Sequence, residues 1–338
     1  MQRVTQMQQT MLNKLRIQGG WKGKIRNLIR TQKPIAVEEN RIINCDNLVK
    51  IYKINELEVM ALQGLELKIN KAELCAIIGS SGSGKTTLLN ILGGLETPTA
   101  GVARIAGWNL NNMSARDQLT YRREVIGFVW QNIGRNLIPY LTALDNVRLP
   151  MILNGKAGDV KWARELLDAV GLGDRIHHKP SEMSGGQQQR VAIAVGLANR
   201  PSVLLADEPT GSLDSKTSSE ILKVFRTVCE RFGITVVVVT HDRSLSNAVD
   251  RVVEIRDGKI STETVRTDLL VGSDEVKETA KAGDDYGTES AIHARYTVLD
   301  SAGRLQIPKE YLEELGISGR AALEIVDGKI IIKAPAEN

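Results

Sequence analysis

Short apolar runs divide the central part of the chain into predicted strands and helices. Residues 74–78 have the length and composition of a buried strand, and residues 87–92 fit the first turns of a helix. Two later runs, residues 203–206 and 234–240, also predict buried strands, and the second is rich in β-branched side chains. Buried strands that alternate with helices predict an α/β fold.

A glycine-rich segment separates the first predicted strand from its helix. Its residues are Gly79, Ser80, Ser81, Gly82, Ser83, Gly84, Lys85 and Thr86. Glycines let backbone N–H groups turn inward, and the helix N-terminus adds the positive end of its dipole. Lys85 can reach terminal phosphates, and the Thr86 hydroxyl can ligate Mg²⁺. The segment therefore predicts a phosphate-binding loop for a nucleoside triphosphate.

Two carboxylates follow the strand predicted at residues 203–206. Asp207 and Glu208 precede Pro209, which cannot continue a strand ladder. A carboxylate beside the phosphate loop of a P-loop NTPase holds Mg²⁺ through its water shell, which fits Asp207. Glu208 has no such duty and can polarise the attacking water as a general base. Without a phosphate loop the pair would fit a solvated turn equally well; with it, the catalytic interpretation is favoured.

The segment Met183-Ser-Gly-Gly-Gln187 precedes an apolar helix that Ser184 is suited to cap, and a capped helix alone would explain it. In their order along the chain, however, this segment, the phosphate loop and the Asp207–Glu208 pair closely resemble the ATP-binding cassette (ABC) ATPases. The resemblance covers roughly residues 42–260. It implies a P-loop NTPase fold with a helical subdomain at about residues 134–200, ATP and Mg²⁺ as ligands, and ATP hydrolysis.

The resemblance also implies roles for single residues. The signature residues, which would close over the γ-phosphate held by a second copy of the chain, are Ser184, Gly185, Gly186 and Gln187. The D-loop residues at the dimer interface would be Ser212, Leu213 and Asp214. Gln131 would contact metal and water and link the site to a permease, and His241 would contact the γ-phosphate. Tyr52 would stack on adenine, and Thr87 would complete the ATP-binding set, with Thr86, Gln131 and Asp207 around the metal.

Three segments resemble one subgroup in particular. Residues 93–101, 121–127 and 207–215 are similar to the ATPases of lipoprotein-releasing, macrolide-exporting and cell-division systems. The resemblance implies that ATP hydrolysis does mechanical work on a permease with a long extracytoplasmic domain.

Composition agrees with a cytoplasmic subunit that lies on the membrane through its permease. In 338 residues, no apolar run approaches the ~18–20 residues that cross a bilayer, so a transport role predicts a separate membrane subunit. The start of the chain also lacks the apolar stretch of a secretory signal. The three cysteines, Cys45, Cys75 and Cys229, are widely spaced and indicate reduced thiols rather than a disulfide or metal framework.

Residues 1–41 form a basic arm without Asp or Glu before residue 38. Trp21, Ile25, Leu28 and Ile29 fall on one helical face. Such a basic amphipathic helix could lie on anionic lipid or on a permease loop. The alternative is a disordered basic arm, and the pattern favours the helix.

The C-terminal part divides into a polar, acidic linker at residues 261–290 and an ordered tail at residues 291–338. The tail predicts strands at 293–299 and 304–307, a helix at 308–315, and a hairpin of strands 322–326 and 329–333 around Asp327-Gly328. This pattern resembles the mainly-β AbrB-like swapped-hairpin domain, which interlaces hairpins from two chains.

Many AbrB-like domains bind DNA, but six Lys/Arg face seven Asp/Glu in residues 291–338, a poor balance for binding phosphates. We therefore expect this tail to make a homodimer, and nucleic acid is disfavoured as a partner. The alternative is a soluble ABC ATPase that acts in DNA-linked regulation through the tail.

Overall fold

The computed structural model describes residues 40–54, 57–156, 158–211, 213–242, 245, 248–266, 293–299, 303–326 and 329–334. The basic arm up to residue 39, Ser212, residues 267–290 of the predicted linker and residues 291–292 of the predicted tail lie outside this set. The described residues from Ile42 onwards belong to one compact unit.

The described strands form three sheets, and the described helices lie between strands along the chain. The strands are β1 (Arg41–Ile54), β2 (Leu57–Asn70), β3 (Leu74–Ile78), β4 (Ala100–Ile105), β5 (Trp108–Asn109), β6 (Ile126–Val129), β7 (Val203–Asp207), β8 (Thr235–Thr240), β9 (Arg251–Arg256), β10 (Lys259–Arg266), β11 (His293–Thr297), β12 (Ala322–Val326) and β13 (Lys329–Lys333). The α-helices are α1 (Lys85–Leu92), α2 (Ala115–Glu124), α3 (Ala143–Leu153), α4 (Val160–Ala169), α5 (Gly185–Leu197), α6 (Ser215–Phe232) and α7 (Lys309–Glu314). None of the helices in the described part of the chain is long and apolar enough to cross a membrane.

A seven-stranded sheet in the order β11-β10-β9-β3-β8-β7-β6 is the centre of the unit. Strands β9, β3, β8, β7 and β6 run parallel to one another, whereas β10 and β11 are antiparallel additions. A second sheet, in the order β2-β1-β4-β5, packs on one face through α1. Helices α3 to α6 cover the opposite face, which confirms the α/β prediction.

The predicted strand at residues 74–78 shows why these runs are apolar throughout. Leu74, Ala76 and Ile78 pack into the helical layer, while Cys75 and Ile77 pack towards the second sheet. Successive side chains of a strand point to opposite faces, so a parallel strand covered on both faces needs apolar residues at every position.

The strand register brings the ends of three strands together. Ile78 of β3 is level with Thr240 of β8, and Asp207 of β7 is level with Val239. The segments after these three strands hold the phosphate loop, Glu208 and His241. Ligands of open α/β sheets bind outside these carboxyl ends, so the fold collects the predicted site at one edge.

The C-terminal segments follow the sequence prediction in part. Strand β11, helix α7 and the β12–β13 hairpin confirm the predicted strand at 293–299, helix and hairpin. The predicted strand at 304–307 is wrong, because only Leu305 pairs, through one bridge to Leu299. Pro308, which has no N–H to extend a ladder, caps α7 directly after it.

Two strands place parts of the C-terminal region in the central sheet. Strand β10 reaches Arg266, so residues 261–266 lie in the sheet where the sequence predicted the start of the linker. Strand β11 pairs with β10 from Thr262–Thr297 to Arg266–His293. The central sheet therefore includes the first strand of the tail.

Candidate nucleotide site

The phosphate loop leaves the N-terminus of α1 without a capping side chain. Gly84 precedes the helix with φ +104°, and no acidic residue stands in the first turn. A Cβ on Gly84 would lie 2.6 Å from the Ala61 carbonyl oxygen, so both backbone angle and space require glycine here. The uncapped N–H groups and the helix dipole make this helix start an anion site.

Lys85 is held inside the loop, where it can meet an incoming phosphate. Its Nζ donates hydrogen bonds of 2.8 Å to the carbonyl oxygens of Gly79 and Ser80. Burial lowers the pKa of Lys85, while the charges of Glu208 and Asp207 act in the opposite direction. The Ser83 hydroxyl is buried without a hydrogen-bond partner among the described residues. A buried cation and an unsatisfied hydroxyl both fit a triphosphate.

Asp207, the last residue of β7, is the carboxylate predicted to bind the metal. Burial is the main cause that raises the pKa of Asp207; the Glu208 charge raises it further, and Lys85 opposes both. A divalent cation would relieve this accumulation of negative charge. Magnesium prefers hard oxygen ligands and binds through one or two carboxylates together with substrate phosphates. Asp207 and the Thr86 hydroxyl therefore fit Mg²⁺.

Glu208 adopts a strained backbone conformation that aims its carboxylate at His241. Its φ is +45°, unusual for a residue with a side chain, and its N–H donates to the Val239 carbonyl at 2.9 Å. Both carboxylate oxygens lie 3.0 Å from His241 Nδ1, and the Thr240 hydroxyl donates to one of them at 3.2 Å. We assign the proton to Nδ1, because a carboxylate can only accept.

Gln131 follows β6 in a loop that Asn136 fastens. The Asn136 side chain donates to the Trp130 carbonyl at 2.8 Å and accepts from the Trp130 N–H at 2.9 Å. Gln131 Nε2 lies 3.8 Å from the position that a Cβ on Gly211 would take, and Glu208 Cβ lies 3.7 Å from the same position. The structure therefore brings Gln131 next to the segment that carries Glu208.

The signature and D-loop residues of one chain contact each other. Ser184 caps α5, accepting a hydrogen bond from the Gln187 N–H at 3.3 Å and donating its own N–H to the Gln187 side chain at 2.9 Å. Asp214 caps α6 and binds both the N–H and the hydroxyl of Thr217. The methyl group of Thr217 leaves room only for glycine at Gly186, since a Cβ there would lie 2.4 Å away.

Leu213 joins the same contact, because its Cδ2 lies 3.5 Å from a Cβ position on Gly185. A cavity of 660 Å³ opens beside this contact, lined by the D-loop segment, the first turns of α6 and His241. The two helix starts are thus packed together, and their capping groups are satisfied within one chain.

Tyr52 extends from β1 towards α1. Its hydroxyl donates to Glu96 Oε2 at 2.5 Å and lies 3.4 Å from the Thr87 hydroxyl.

Three supporting residues were not predicted from the sequence: Glu96, Asn136 and Thr217. Glu96 lies in the 93–101 segment that carries the subgroup resemblance, so its importance could have been predicted. No sequence pattern, however, links Glu96 to Tyr52.

Comparison with known proteins identifies this arrangement. Residues 62–211 match the ABC transporter family model. An uncharacterised ABC transporter ATP-binding protein of Thermotoga maritima is 49% identical over 222 residues, which cover 65% of this chain and 94% of that protein. The chain therefore belongs to the ATP-binding proteins of the ABC transporter family.

Two further relatives refine the comparison. The macrolide export ATP-binding/permease protein MacB of Syntrophobacter fumaroxidans is 44% identical over 227 residues, 66% of this chain. The chain spans only 32% of the length of that relative. The dimeric post-hydrolysis structure of the ATP-binding cassette MJ0796, bound to ADP and Pi, is 42% identical, with a TM-score of 0.59 over 66% of this chain and 97% of that one. The structure of that relative therefore holds the products of ATP hydrolysis.

Proposed function

We propose that this chain is the ATP-hydrolysing subunit of an ABC transporter and powers a separate integral-membrane permease by mechanical work. The cargo class would be a lipoprotein, lipid or drug that is exported or extracted. The similarity to a macrolide exporter supports this subgroup, and the observation that supports turnover is the Glu208 carboxylate held by His241 and Thr240. The chain would then lie on the cytoplasmic side of the membrane.

Each residue near the strand ends has a proposed role. Lys85 and the N–H groups from Gly79 to Thr87 would hold the phosphates, and Tyr52 would stack on adenine. Asp207, Thr86 and Gln131 would hold Mg²⁺, which neutralises phosphate charge when bound. Glu208 would accept a hydrogen bond from the attacking water, and His241 would keep the carboxylate oriented.

Two copies would form two composite sites. Ser184 and Gly186 of one copy would serve the nucleotide held by Lys85 of the other, and the D-loop would lie between them. The contact of signature and D-loop within one chain supports this, because the two motifs would move as one body. Mixed dimers of Ser184→Ala and Lys85→Ala chains would keep one intact site and some activity, whereas each parent would be inactive.

The permease would dock on the helical layer beside Gln131. Tyr140 is 72% exposed, and Leu153 at the end of α3 is 70% exposed. Tyr140 precedes α3 and Leu153 ends it, so exposed apolar side chains stand at both ends of this helix, and such side chains are typical of interaction surfaces. Tyr140 lies nine residues after Gln131 in the chain, so docking there would affect the nucleotide site.

The β12–β13 hairpin would hold the two copies together between cycles. Leu323, Ile325 and Ile330 share one face of this hairpin and are 69%, 80% and 73% exposed. An isolated two-stranded hairpin is marginal in water, and a second copy would cover this apolar face. In the same proposal, the basic arm before residue 41 would contact anionic lipid or the permease.

Purification from native membranes tests the permease proposal. Glu208→Gln protein loaded with ATP should co-purify with an integral-membrane protein. Lys85→Ala protein, which would bind ATP poorly, should recover less of the same membrane protein. Recovery of no integral protein with either variant would contradict the transporter assignment.

A further inference from the structure

Tyr52 is fixed by polar contacts of its hydroxyl group. Its hydroxyl donates to Glu96 Oε2 at 2.5 Å, the shortest contact of the group. Burial raises the pKa of Tyr52, and the hydrogen bond to Glu96 raises it further, so the phenol keeps its proton and remains a donor. Because the hydroxyl is already hydrogen-bonded to Glu96, the ring face is the part of Tyr52 that can contact a ligand.

Glu96 is itself held from three sides. Besides the Tyr52 hydroxyl, it accepts a hydrogen bond from Asn90 Nδ2 at 3.0 Å and pairs with Lys50 Nζ at 3.2 Å. Burial raises the pKa of Glu96, but these hydrogen bonds and the Lys50 charge lower it more, so the carboxylate stays ionised. An ionised acceptor holds the phenol more strongly than a neutral one.

The same group reaches the phosphate loop. Asn90 and Thr87 both lie on α1, whose first residue is Lys85, and the Glu96 N–H also donates to the Asn90 carbonyl at 3.3 Å. Lys50 Nζ lies 5.0 Å from the centre of the Tyr52 ring and donates to the Thr97 carbonyl at 2.9 Å. One ring face therefore carries a cation, so an adenine base would stack on the opposite face.

We propose that Glu96 is a positioning residue, which fixes the Tyr52 ring for stacking on the adenine base and joins this base platform to the phosphate-loop helix. The inference rests on the adenine-stacking role proposed above for Tyr52. Without the anchor the ring would populate several rotamers, and the apparent affinity for ATP would fall with the fraction of stacking-competent molecules.

The test compares two ligands that differ in the base. Dissociation constants for Mg²⁺–ATP and for Mg²⁺–tripolyphosphate, which has no base, are measured by titration calorimetry on the full chain. Glu96→Ala and Tyr52→Phe should each weaken ATP binding about three- to tenfold, as expected for one lost hydrogen bond, and leave tripolyphosphate binding unchanged. Glu96→Gln, which keeps an acceptor, should restore most of the affinity. The double variant Tyr52→Phe/Glu96→Ala should be no weaker than Glu96→Ala, because both changes remove one contact.

Three results would overturn the inference. Equal weakening of both ligands by Glu96→Ala would make Glu96 a support of α1 alone. Unchanged ATP affinity in Glu96→Ala, with Tyr52→Ala still weakening ATP selectively, would remove the positioning role but keep Tyr52 as the base platform. Unchanged ATP affinity in Tyr52→Ala would instead reject the stacking role itself. Thermal unfolding of Glu96→Gln and Glu96→Ala separates loss of fold from loss of positioning.

Discussion

Both carboxylate oxygens of Glu208 lie 3.0 Å from Nδ1 of His241, and the two residues follow adjacent parallel strands. Glu208 reaches this position only with a φ of +45°, which L-residues with side chains rarely adopt. Strain of this kind persists where the surrounding structure imposes it, and it concentrates at functional sites. The contact joins the proposed water-orienting group to the end of the strand beside it.

The backbone strain at Glu208 predicts a difference between two inactive variants. Glu208→Ala and Glu208→Gly both remove the carboxylate, but glycine accepts a positive φ without steric cost. We expect Glu208→Gly to exceed Glu208→Ala in free energy of unfolding by about 1 kcal/mol, as measured by denaturant titration. Gly233→Ala, at φ +64° on an exposed helix end, is the matched control and should lose a similar amount. Equal stability of the two Glu208 variants would show that the site carries no strain.

Asp207 predicts a conflict between stability and function. Its pKa is raised in the folded protein by burial and by Glu208, so its ionised form is disfavoured there relative to the unfolded chain. The resulting loss of stability is absent below the unfolded pKa of about 3.9 and complete above the folded pKa. Asp207→Asn should therefore raise the melting temperature of the nucleotide-free protein at pH 7 and abolish its stabilisation by Mg²⁺–ATP. A lower melting temperature at pH 7 without nucleotide would contradict this explanation.

The packing of Gly186 against Thr217 predicts a rescue. Gly186→Ala places a methyl group 2.4 Å from Thr217 Cγ2 and should destabilise the fold by about 1–3 kcal/mol. Thr217→Ser removes that methyl group but keeps the hydroxyl that binds Asp214. The double variant should recover most of the lost free energy of unfolding. If the double variant instead loses the sum of the two single-variant losses in free energy of unfolding, the clash lies elsewhere.

The exposed hairpin face predicts a dimer that does not require nucleotide. We expect the full-length chain to be dimeric without ATP by light scattering, and the Ile325→Asp/Ile330→Asp variant to be monomeric under the same conditions. Glu324→Gln, on the other face of the same strand, is the control and should remain dimeric. A nucleotide-free monomer for the unmodified chain would contradict the proposal that the β12–β13 hairpin holds two copies together.

The central sheet and the motifs at its strand ends could be predicted from sequence because each depends on local features. An apolar run such as residues 74–78 admits few arrangements, and a phosphate loop needs its glycines and Lys85 in one short segment. The Tyr52–Glu96 bond joins residues 44 positions apart, and the contact of Thr217 with Gly186 depends on how two helix starts pack. The prediction of a strand at 304–307 is wrong because it, too, depends on contacts distant in the sequence. A strand forms only where the edge of a neighbouring strand is available to pair with it.

The rate of ATP hydrolysis by Glu208→Gln protein is the most direct test of whether Glu208 orients the attacking water. This variant keeps the side-chain shape and one oxygen that can accept from Thr240 or His241, but it removes the negative charge and weakens the acceptor for the attacking water. We predict unchanged ATP affinity, an ATP-held dimer, and a turnover rate lower by about 10²-fold or more, with Glu230→Gln on α6 as an unaffected control. Residual hydrolysis within about twofold of the unmodified protein, at equal ATP occupancy, would exclude Glu208 as the residue that orients the water.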